Sequence, residues 1–337
     1  MAKLTLSFIS AFNERVEPLM DGTVQPEGLE LIPTHSPPSE TFWRQLKFQE
    51  FEAGEMSMSS YLIARSRGIE MIALPVFPSR RLFHTEVAIH ADAGVREPGD
   101  LVGKRFGVGE YQQTAALWQR GILEHDFGVS QFKVHWYMER SEELSHGGAT
   151  GFTPPAGISF QRIPPEKSLA SMLVSHELDA ASLIGPWTRA PSVIDRSSRI
   201  PGSGGDWGKV KPLFPDRMAE GRRFFKKYGF IPVNHAYIIR GDIHRKYPWV
   251  AFNLYAAFLK AKALAQEKLV ERIPSALFFG REYLATTREI FGEDPFPYGV
   301  TANRSMLETL IAYSHEQGLT PAKMKVEELF AESTLDL

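Results

Sequence analysis

Residues 105–129, RFGVGEYQQTAALWQRGILEHDFGV, indicate the fold class of this chain. RFGV, residues 105–108, has the character of a short buried strand, and the polar turn GEYQQ follows it. The residues beyond the turn predict a helix from about Thr114 to Asp126. A strand that leads directly into a helix is the unit from which α/β proteins with parallel sheets are built.

The same alternation extends in both directions from this unit. LTLSFIS alternates like a strand from Leu4 to Ile9, and MIALPVF, residues 71–77, is an apolar run typical of the middle of a parallel sheet. A helix is predicted to begin among the serines of GEMSMSSYLIARSRG, residues 54–68. Further strands are predicted in 29–33, 133–138, 179–185 and 236–242, and further helices in 39–51, 168–178, 246–273 and 320–330. The pattern predicts an α/β fold with mostly parallel sheets flanked by helices.

The composition is that of an ordinary globular protein. The chain has 337 residues, 43% hydrophobic and 23% charged, with a net charge of -2. There is no basic excess to attract nucleic acid or anionic lipid. We expect a cytoplasmic protein, because no window reaches the ~18 apolar residues of a membrane span and the N-terminus is a poor secretory signal. The lack of cysteine excludes disulfides and thiolate chemistry.

The order of the segments resembles the type II periplasmic-binding-protein fold. The resemblance depends on REPGDLVGKRFGVGEYQQTA, HELDAASLIGP and HAYIIRGD, residues 96–115, 176–186 and 235–242. It implies two α/β lobes with a ligand cleft between them, joined by crossover strands near 85–90 and 236–240. Lobe one would comprise residues 1–88 and 241–337, and lobe two residues 89–240.

Within that fold, the chain resembles the 4,5-dihydroxyphthalate decarboxylase family. The motifs that carry this resemblance are VQPEGLEL, EFEAGEMSMSSY, VFPSRRLFHTEV, GVGEYQQTAALWQRGIL, PYGVTANR and HEQGLTPAKMKVEELF. The resemblance implies a carboxy-lyase that converts 4,5-dihydroxyphthalate to protocatechuate and CO2 by ring protonation in the cleft. The alternatives are a non-catalytic solute-binding protein for an aromatic or other small carboxylate, and a related lyase or isomerase for a different acid.

Ring decarboxylation makes specific demands on a site. An acid must lie within hydrogen-bond distance of the ring carbon that loses the carboxylate. A hydroxyl para to that carboxylate can supply the electrons, and the second carboxylate must be held so that the ring cannot rotate. We therefore expect a guanidinium clamp, hydroxyl groups, a carboxylate or imidazole, and an aromatic wall.

Three arginines are candidates for the clamp. Arg80 and Arg81, between MIALPVF and TEVAIHA, offer the planar fork that fits a carboxylate. Successive side chains point apart, so a surface ion pair is the alternative for at least one of them. Arg15 follows the first strand, and there the alternative is a salt bridge with Glu14 or Glu17.

His84 and His235 are the candidate proton donors, because histidine titrates near neutral pH and each adjoins a predicted crossover strand. Both would face the same space between the lobes, and His84 is favoured by its neighbouring arginines. Glu55 is the candidate base for the phenol. The alternatives are two structural histidines and a glutamate that the helix dipole favours in a first turn.

Two predicted strand-to-helix junctions supply the remaining candidates, because free backbone N–H groups and hydroxyls there can bind an anion or a phenol. In lobe one, these candidates are Ser57, Ser59 and Ser60, for which helix capping is the alternative. In lobe two, they are Glu110, Tyr111, Gln112 and Thr114 of the turn GEYQQT, for which a solvated loop is the alternative. Trp187 is a further candidate for the aromatic wall.

No organic cofactor is predicted, because GVGEYQ is not a G-x-G-x-x-G loop and no phosphate-binding loop is present. The ten histidines show no HxH or HExxH spacing. A metal site assembled from distant histidines and carboxylates is left open. The predicted partner is a small aromatic di- or monocarboxylate, and the oligomeric state, including a homo-oligomer, is left open.

Overall fold

The computed structural model describes residues 3–183, 193–200, 202 and 205–337, so Trp187 lies outside the described residues. The strands are β1 (Leu4–Ser10), β2 (Leu29–His35), β3 (Ala53–Ser57), β4 (Met71–Arg80), β5 (Val87–His90), β6 (Arg105–Val108), β7 (His135–Met138), β8 (Phe160–Arg162), β9 (Ala180–Ser182), β10 (Val210–Pro212) and β11 (Val233–Arg240). The α-helices are α1 (Glu17–Met20), α2 (Pro38–Phe48), α3 (Met58–Ser66), α4 (Thr114–Phe127), α5 (His146–Thr150), α6 (Leu169–Val174), α7 (Arg217–Tyr228), α8 (Gly241–Lys246), α9 (Trp249–Glu267), α10 (Gly280–Phe291) and α11 (Arg304–Glu316).

The first sheet has the strand order β2-β1-β3-β11-β4. β1, β2 and β3 are parallel, and β11 runs antiparallel to β3 and β4. MIALPVF lies in β4, at the edge of this sheet rather than in its middle as predicted. It is buried nonetheless, because the C-terminal segment covers that edge.

The predicted helix over 320–330 does not form. This segment lies along β4 instead: Ala73 donates its N–H to the carbonyl of Leu329 (3.2 Å) and accepts a hydrogen bond from Ala331 (3.1 Å). Only a single 3-10 turn, Val326–Glu328, remains of the helix. The edge of β4 offers unpaired backbone groups, and pairing with them outweighs the local preference for a helix.

The second sheet has the strand order β10-β5-β9-β6-β7-β8. β9, β6, β7 and β8 are parallel, and β5 runs antiparallel to β9 and β10. Gly107 in β6 allows close packing here, because a Cβ at this position would collide with the side chains of Leu169 and Leu178. The strand β6 and the helix α4, on which the α/β prediction depended, form within one residue of the predicted bounds.

We call the part of the molecule built on the first sheet lobe one and the part built on the second sheet lobe two. The chain enters lobe two through a 3-10 turn, Phe83–Glu86, and returns from β10 through α7 to β11. β11 is hydrogen-bonded within the first sheet, although the predicted lobe two extended to residue 240.

Helix α4 packs between the two lobes. Every residue from Thr114 to Leu123 is buried. The indole of Trp118 donates to the carbonyl of Val233 in β11 (2.8 Å), and its ring lies 5.5 Å from that of Tyr313 in α11. One apolar core therefore extends across both lobes.

Candidate active site

Glu55 and His235 form a buried pair on two inner strands of lobe one. Their strands, β3 and β11, are antiparallel neighbours in which His235 lies opposite Ser57. Glu55 Oε1 and His235 Nδ1 are 2.6 Å apart. The two side chains are 5% and 9% exposed. The sheet thus joins two residues that are 180 positions apart in the chain.

The surroundings keep Glu55 ionised. Burial raises its pKa, but the charge of His235 and the hydrogen bonds to the carboxylate outweigh burial and hold the pKa below its usual value. One of these bonds comes from the backbone N–H of Ala11, which donates to Oε2 (3.0 Å). The carboxylate accepts the Nδ1 proton of His235. Nε2 is therefore the ring nitrogen available for proton transfer.

Phe42 of α2 contacts histidines from both lobes. Its ring meets the ring of His235 edge-on, with centroids 4.6 Å apart. It also meets the ring of His146 of lobe two edge-on, with centroids 5.7 Å apart. Phe42 therefore places an aromatic surface at the junction between the lobes, beside the Glu55–His235 pair.

The serine and threonine candidates bond to one another across this junction. Ser57 Oγ lies 2.8 Å from Thr114 Oγ1, which also accepts a hydrogen bond from the backbone N–H of Ser59 (3.0 Å). The hydroxyl of Ser59 donates to the carbonyl of Gln112 (2.5 Å). Because α3 begins at Met58 and α4 begins at Thr114, two helix N-termini meet here, and both favour negative charge.

Glu110 belongs to a buried charge network centred on Arg140. The guanidinium of Arg140 donates to Glu110 (2.6 Å), to Asp195 (2.9 Å) and to the hydroxyl of Ser39 in lobe one (2.7 Å). Burial lowers the pKa of Arg140, but the two carboxylates outweigh burial and raise the pKa above its usual value. The charge of Arg140 is thus paired with two carboxylates within the protein, and the network ties lobe two to lobe one.

His146 extends this network as a neutral imidazole. Its Nε2 donates to the carbonyl of Ser39 (3.0 Å), and its Nδ1 lies 3.5 Å from the hydroxyl of Ser60. Its backbone N–H donates to Glu110 (3.1 Å). Burial lowers the pKa of His146 below its usual value. Ser60, a predicted binding residue, therefore lies beside His146 of the opposite lobe.

Arg80 and Arg81 have partners other than the Glu55–His235 pair, so the structure does not assemble the predicted clamp. Arg80 is buried and donates to the carbonyls of Ile231 (3.1 Å) and Pro297 (2.9 Å) and to the side chain of Asn303. Arg81 is 40% exposed and pairs with Glu86. The two side chains point apart at the end of a strand, as the alternative interpretation holds.

The prediction that His84 and His235 face the same space is wrong. His84 lies in the 3-10 turn after β4, which directs its side chain toward α7. There its Nε2 bonds Glu220 (2.7 Å), and its ring packs on those of Phe214 and Phe224. His84 is completely buried in this position.

Two more candidates have structural partners. Arg15 pairs with Glu14, donates to the carbonyl of Pro78 (2.7 Å) and lies 3.8 Å above the ring of Phe296. The hydroxyl of Tyr111 donates to Gln131. The guanidinium of Arg120 covers the Tyr111 ring at 3.7 Å. The ion pair of Arg15 is the salt bridge of the alternative interpretation. Tyr111 is buried, as is most of the turn GEYQQT, so this turn is not the solvated loop of its alternative, but the contacts of Tyr111 are with the protein interior.

Five residues at the junction between the lobes were not among the candidates predicted from the sequence. They are Ser39, Phe42, Arg140, His146 and Asp195. A general rule would have found Arg140, because it follows the carboxyl end of β7, where α/β sheets bind their ligands. The others lie in helices and loops of both lobes, and no local pattern marks them.

Within the described ranges, no group of three or more histidines and carboxylates is arranged to hold a metal ion. No helix there is long and apolar enough to cross a membrane.

Comparison with curated proteins identifies the family. The chain is 32% identical to a 4,5-dihydroxyphthalate decarboxylase of Comamonas testosteroni over 339 residues, which cover 100% of this chain and 99% of the relative. The chain belongs to the 4,5-dihydroxyphthalate decarboxylase family. A decarboxylase of the same name from Pseudomonas putida is 40% identical over 193 residues, 57% of this chain and 73% of that protein. No protein-family model matches the sequence.

Solved structures confirm the fold predicted for this decarboxylase-family chain. The periplasmic aliphatic sulphonate binding protein SsuA of Escherichia coli superposes with a TM-score of 0.55 at 12% identity, covering 98% of this chain and 92% of that one. The alkanesulfonate-binding protein SsuA of Xanthomonas axonopodis pv. citri, bound to MOPS, gives 0.54 at 11% identity, covering 98% and 99%. At such low identity the likeness shows a periplasmic-binding-protein fold alone.

Proposed function

We propose that this protein decarboxylates 4,5-dihydroxyphthalate to protocatechuate and CO2, with His235 as the proton donor. The single observation that carries this proposal is the buried Glu55–His235 pair, 2.6 Å apart, at the junction between the lobes. The names of both curated relatives support the substrate and the reaction. A cytoplasmic location stays a prediction.

The chemistry requires a proton and no redox step. The para hydroxyl of the substrate supplies electron density to the ring carbon that carries the carboxylate, and that carbon takes a proton from His235 Nε2 to form the new C–H bond. The bond from the same ring carbon to its carboxylate carbon then breaks, CO2 leaves, and the bonding electrons return to the ring and restore its aromaticity. The imidazole regains a proton from solvent. The ionised Glu55 stabilises the imidazolium before the transfer and keeps the ring oriented.

The anionic groups of the substrate also need partners. We assign this role to the N-termini of α3 and α4 with Ser57, Ser59, Gln112 and Thr114, because backbone N–H groups and the helix dipoles favour carboxylates there. The hydroxyls of Ser57 and Ser59 already lie within hydrogen-bond distance of the hydroxyl of Thr114, and Ser59 also donates to the backbone carbonyl of Gln112. Phe42 supplies the aromatic surface beside His235. Arg80, Arg81 and His84 are left out of the proposed site.

The test is direct turnover. The purified protein is incubated with 4,5-dihydroxyphthalate, and CO2 and protocatechuate are measured together. We expect equal amounts of the two products, and far less of both from a His235→Asn control. Tight binding without turnover would instead identify a solute-binding protein, a function known for proteins of this fold such as SsuA. Neither binding nor turnover would mean that the substrate is a different acid.

A further inference from the structure

Residues 266–297 form a long surface segment without a single buried residue. The turn before α10 exposes Leu277 by 59%, Phe278 by 88% and Phe279 by 78%, and α10 itself exposes Tyr283 by 67%. We call these four side chains the apolar ridge. Monomeric proteins rarely expose contiguous apolar surface of this kind.

The apolar ridge has a fixed position, because the helices on both sides of it pack on the rest of the protein. α10 is anchored on α7, where the rings of Phe291 and Phe225 meet edge-on at 5.2 Å and Arg222 pairs with Glu289 at 2.8 Å. The preceding helix, α9, packs in the core of lobe one. The protein therefore fixes both ends of the segment and presents the apolar side chains between them to solvent.

A groove of about 1440 Å³ lies against the ridge. The four ridge residues line one part of it, and Phe12 and Phe296 line another. Phe12 is itself 76% exposed. The same surface thus carries a protruding apolar element and an apolar hollow next to it, as a surface that pairs with its own copy requires.

The charges around the groove point to the same partner. Its lining contains arginines and acids in similar number, among them Arg272, Arg288, Glu17 and Glu293. A rim with one sign of charge would suit nucleic acid, an anionic membrane or an oppositely charged protein. A rim with both signs is complementary to itself when a two-fold axis places the arginines of one copy against the acids of the other.

We infer that a second copy of this chain binds here in a two-fold symmetric dimer, with the apolar ridge of each protomer in the groove of the other. The dimer would cover Phe12 and Arg15 in the loop that follows β1. That loop also contains Ala11, whose backbone N–H donates a hydrogen bond to the carboxylate of Glu55. The active-site pair itself comes from one chain, so dimer formation and catalysis can be measured separately.

Sedimentation velocity at micromolar concentration tests this interface. The full chain should sediment as a dimer, at twice the chain mass of 37.9 kDa. The variant Phe278→Asp/Phe279→Asp should fall to the monomer mass, because it places two charges in each apolar contact. Phe132→Asp is the matched control: Phe132 is 53% exposed in lobe two and should leave the mass unchanged.

Circular dichroism must show that the double variant is folded, and Tyr283→Lys provides a second variant in case it is not. A larger wild-type assembly that loses half its mass or more in the ridge variants also supports the interface. A monomeric wild type would overturn the inference, including one that binds anionic lipid vesicles through the ridge. So would ridge variants that keep the wild-type mass.

Discussion

The buried pairs His84–Glu220 and His235–Glu55 have nearly equal distances between their partners, but their surroundings differ. His84 and Glu220 are 2.7 Å apart, but His84 is fully buried among phenylalanines, and Arg223 also binds Glu220. His235 and Glu55 are 2.6 Å apart on two inner strands of the first sheet, and Phe42 lies between His235 and His146 of the opposite lobe. A proton donor must reach its substrate, so only the second pair suits catalysis.

This difference predicts opposite results for two equivalent substitutions. His235→Asn should lower kcat by about 100-fold or more and leave substrate binding measurable, because it removes the proton donor but little of the binding surface. His84→Asn should keep its kcat and instead unfold at lower temperature. Protocatechuate formation and thermal unfolding measure both. If His84→Asn lost turnover while His235→Asn kept it, the assignment of the acid would be reversed.

The adjacent arginines give a second contrast. Arg80 is buried without a carboxylate partner among its hydrogen bonds, and burial lowers its pKa to about 10, so it stays charged at neutral pH. Arg80→Met should lower the free energy of unfolding by about 2–4 kcal/mol, because it leaves buried carbonyls unpaired. Arg81→Met should cost less than about 1 kcal/mol, since its ion pair is partly exposed.

Urea unfolding measures these two free energies, and calorimetry measures the binding of phthalate to both variants. We expect wild-type affinity for phthalate in each folded variant. A tenfold weaker affinity in either one would return that arginine to the carboxylate clamp predicted from the sequence.

At the scale of elements, the sequence predicts strands and helices well where the pattern is local. β6 and α4 form as predicted, since a short buried strand, a polar turn and a helix follow one another directly. The 320–330 segment does not, because its conformation depends on β4, some 250 residues away. The predicted helix over 246–273 ends early, at Glu267, and the residues that follow stay at the surface.

His146, at the junction between α2, α5 and β7, should make the free energy of unfolding depend on pH. Burial lowers the pKa of His146, so protons bind the unfolded chain more tightly than the folded one. The stability from this neutral histidine is complete above the ordinary pKa of 6.5 and is lost as the pH falls from there toward the folded-state pKa. The pKa of Glu110 is also lowered, but from 4.5, so its own loss begins only in more acidic solution.

Urea unfolding between pH 7.5 and pH 5.5 tests this, with a loss of about 1 kcal/mol expected in the wild type from His146. His146→Gln keeps a donor for the carbonyl of Ser39 but cannot titrate, so its stability should fall less over the same range. Equal slopes for the two proteins would show that His146 does not control this dependence.

At the scale of the whole molecule, the candidate site is made by contacts that no local pattern specifies. Glu55 and Ser57 were predictable from the strand-to-helix junction in which they lie. Arg140 and His146 join the site only because lobe two packs against lobe one. The same closure binds α4 into the core of both lobes, with Trp118 bonded to β11 and packed on α11. Wide opening would expose that apolar core to water, at a large cost.

The protein should therefore change shape little when it binds its ligand. A compact chain of this length has a radius of gyration of about 20 Å, and we expect saturating phthalate to change it by less than about 0.5 Å in small-angle X-ray scattering. Gly121→Leu provides a control for sensitivity, since a Cβ at Gly121 collides with the ring of Tyr313 and should force α4 away from α11. That variant should be larger or less stable than the wild type. A contraction of more than about 1 Å in the wild type would show instead that the lobes stand open without ligand, and that the shared core forms only on closure.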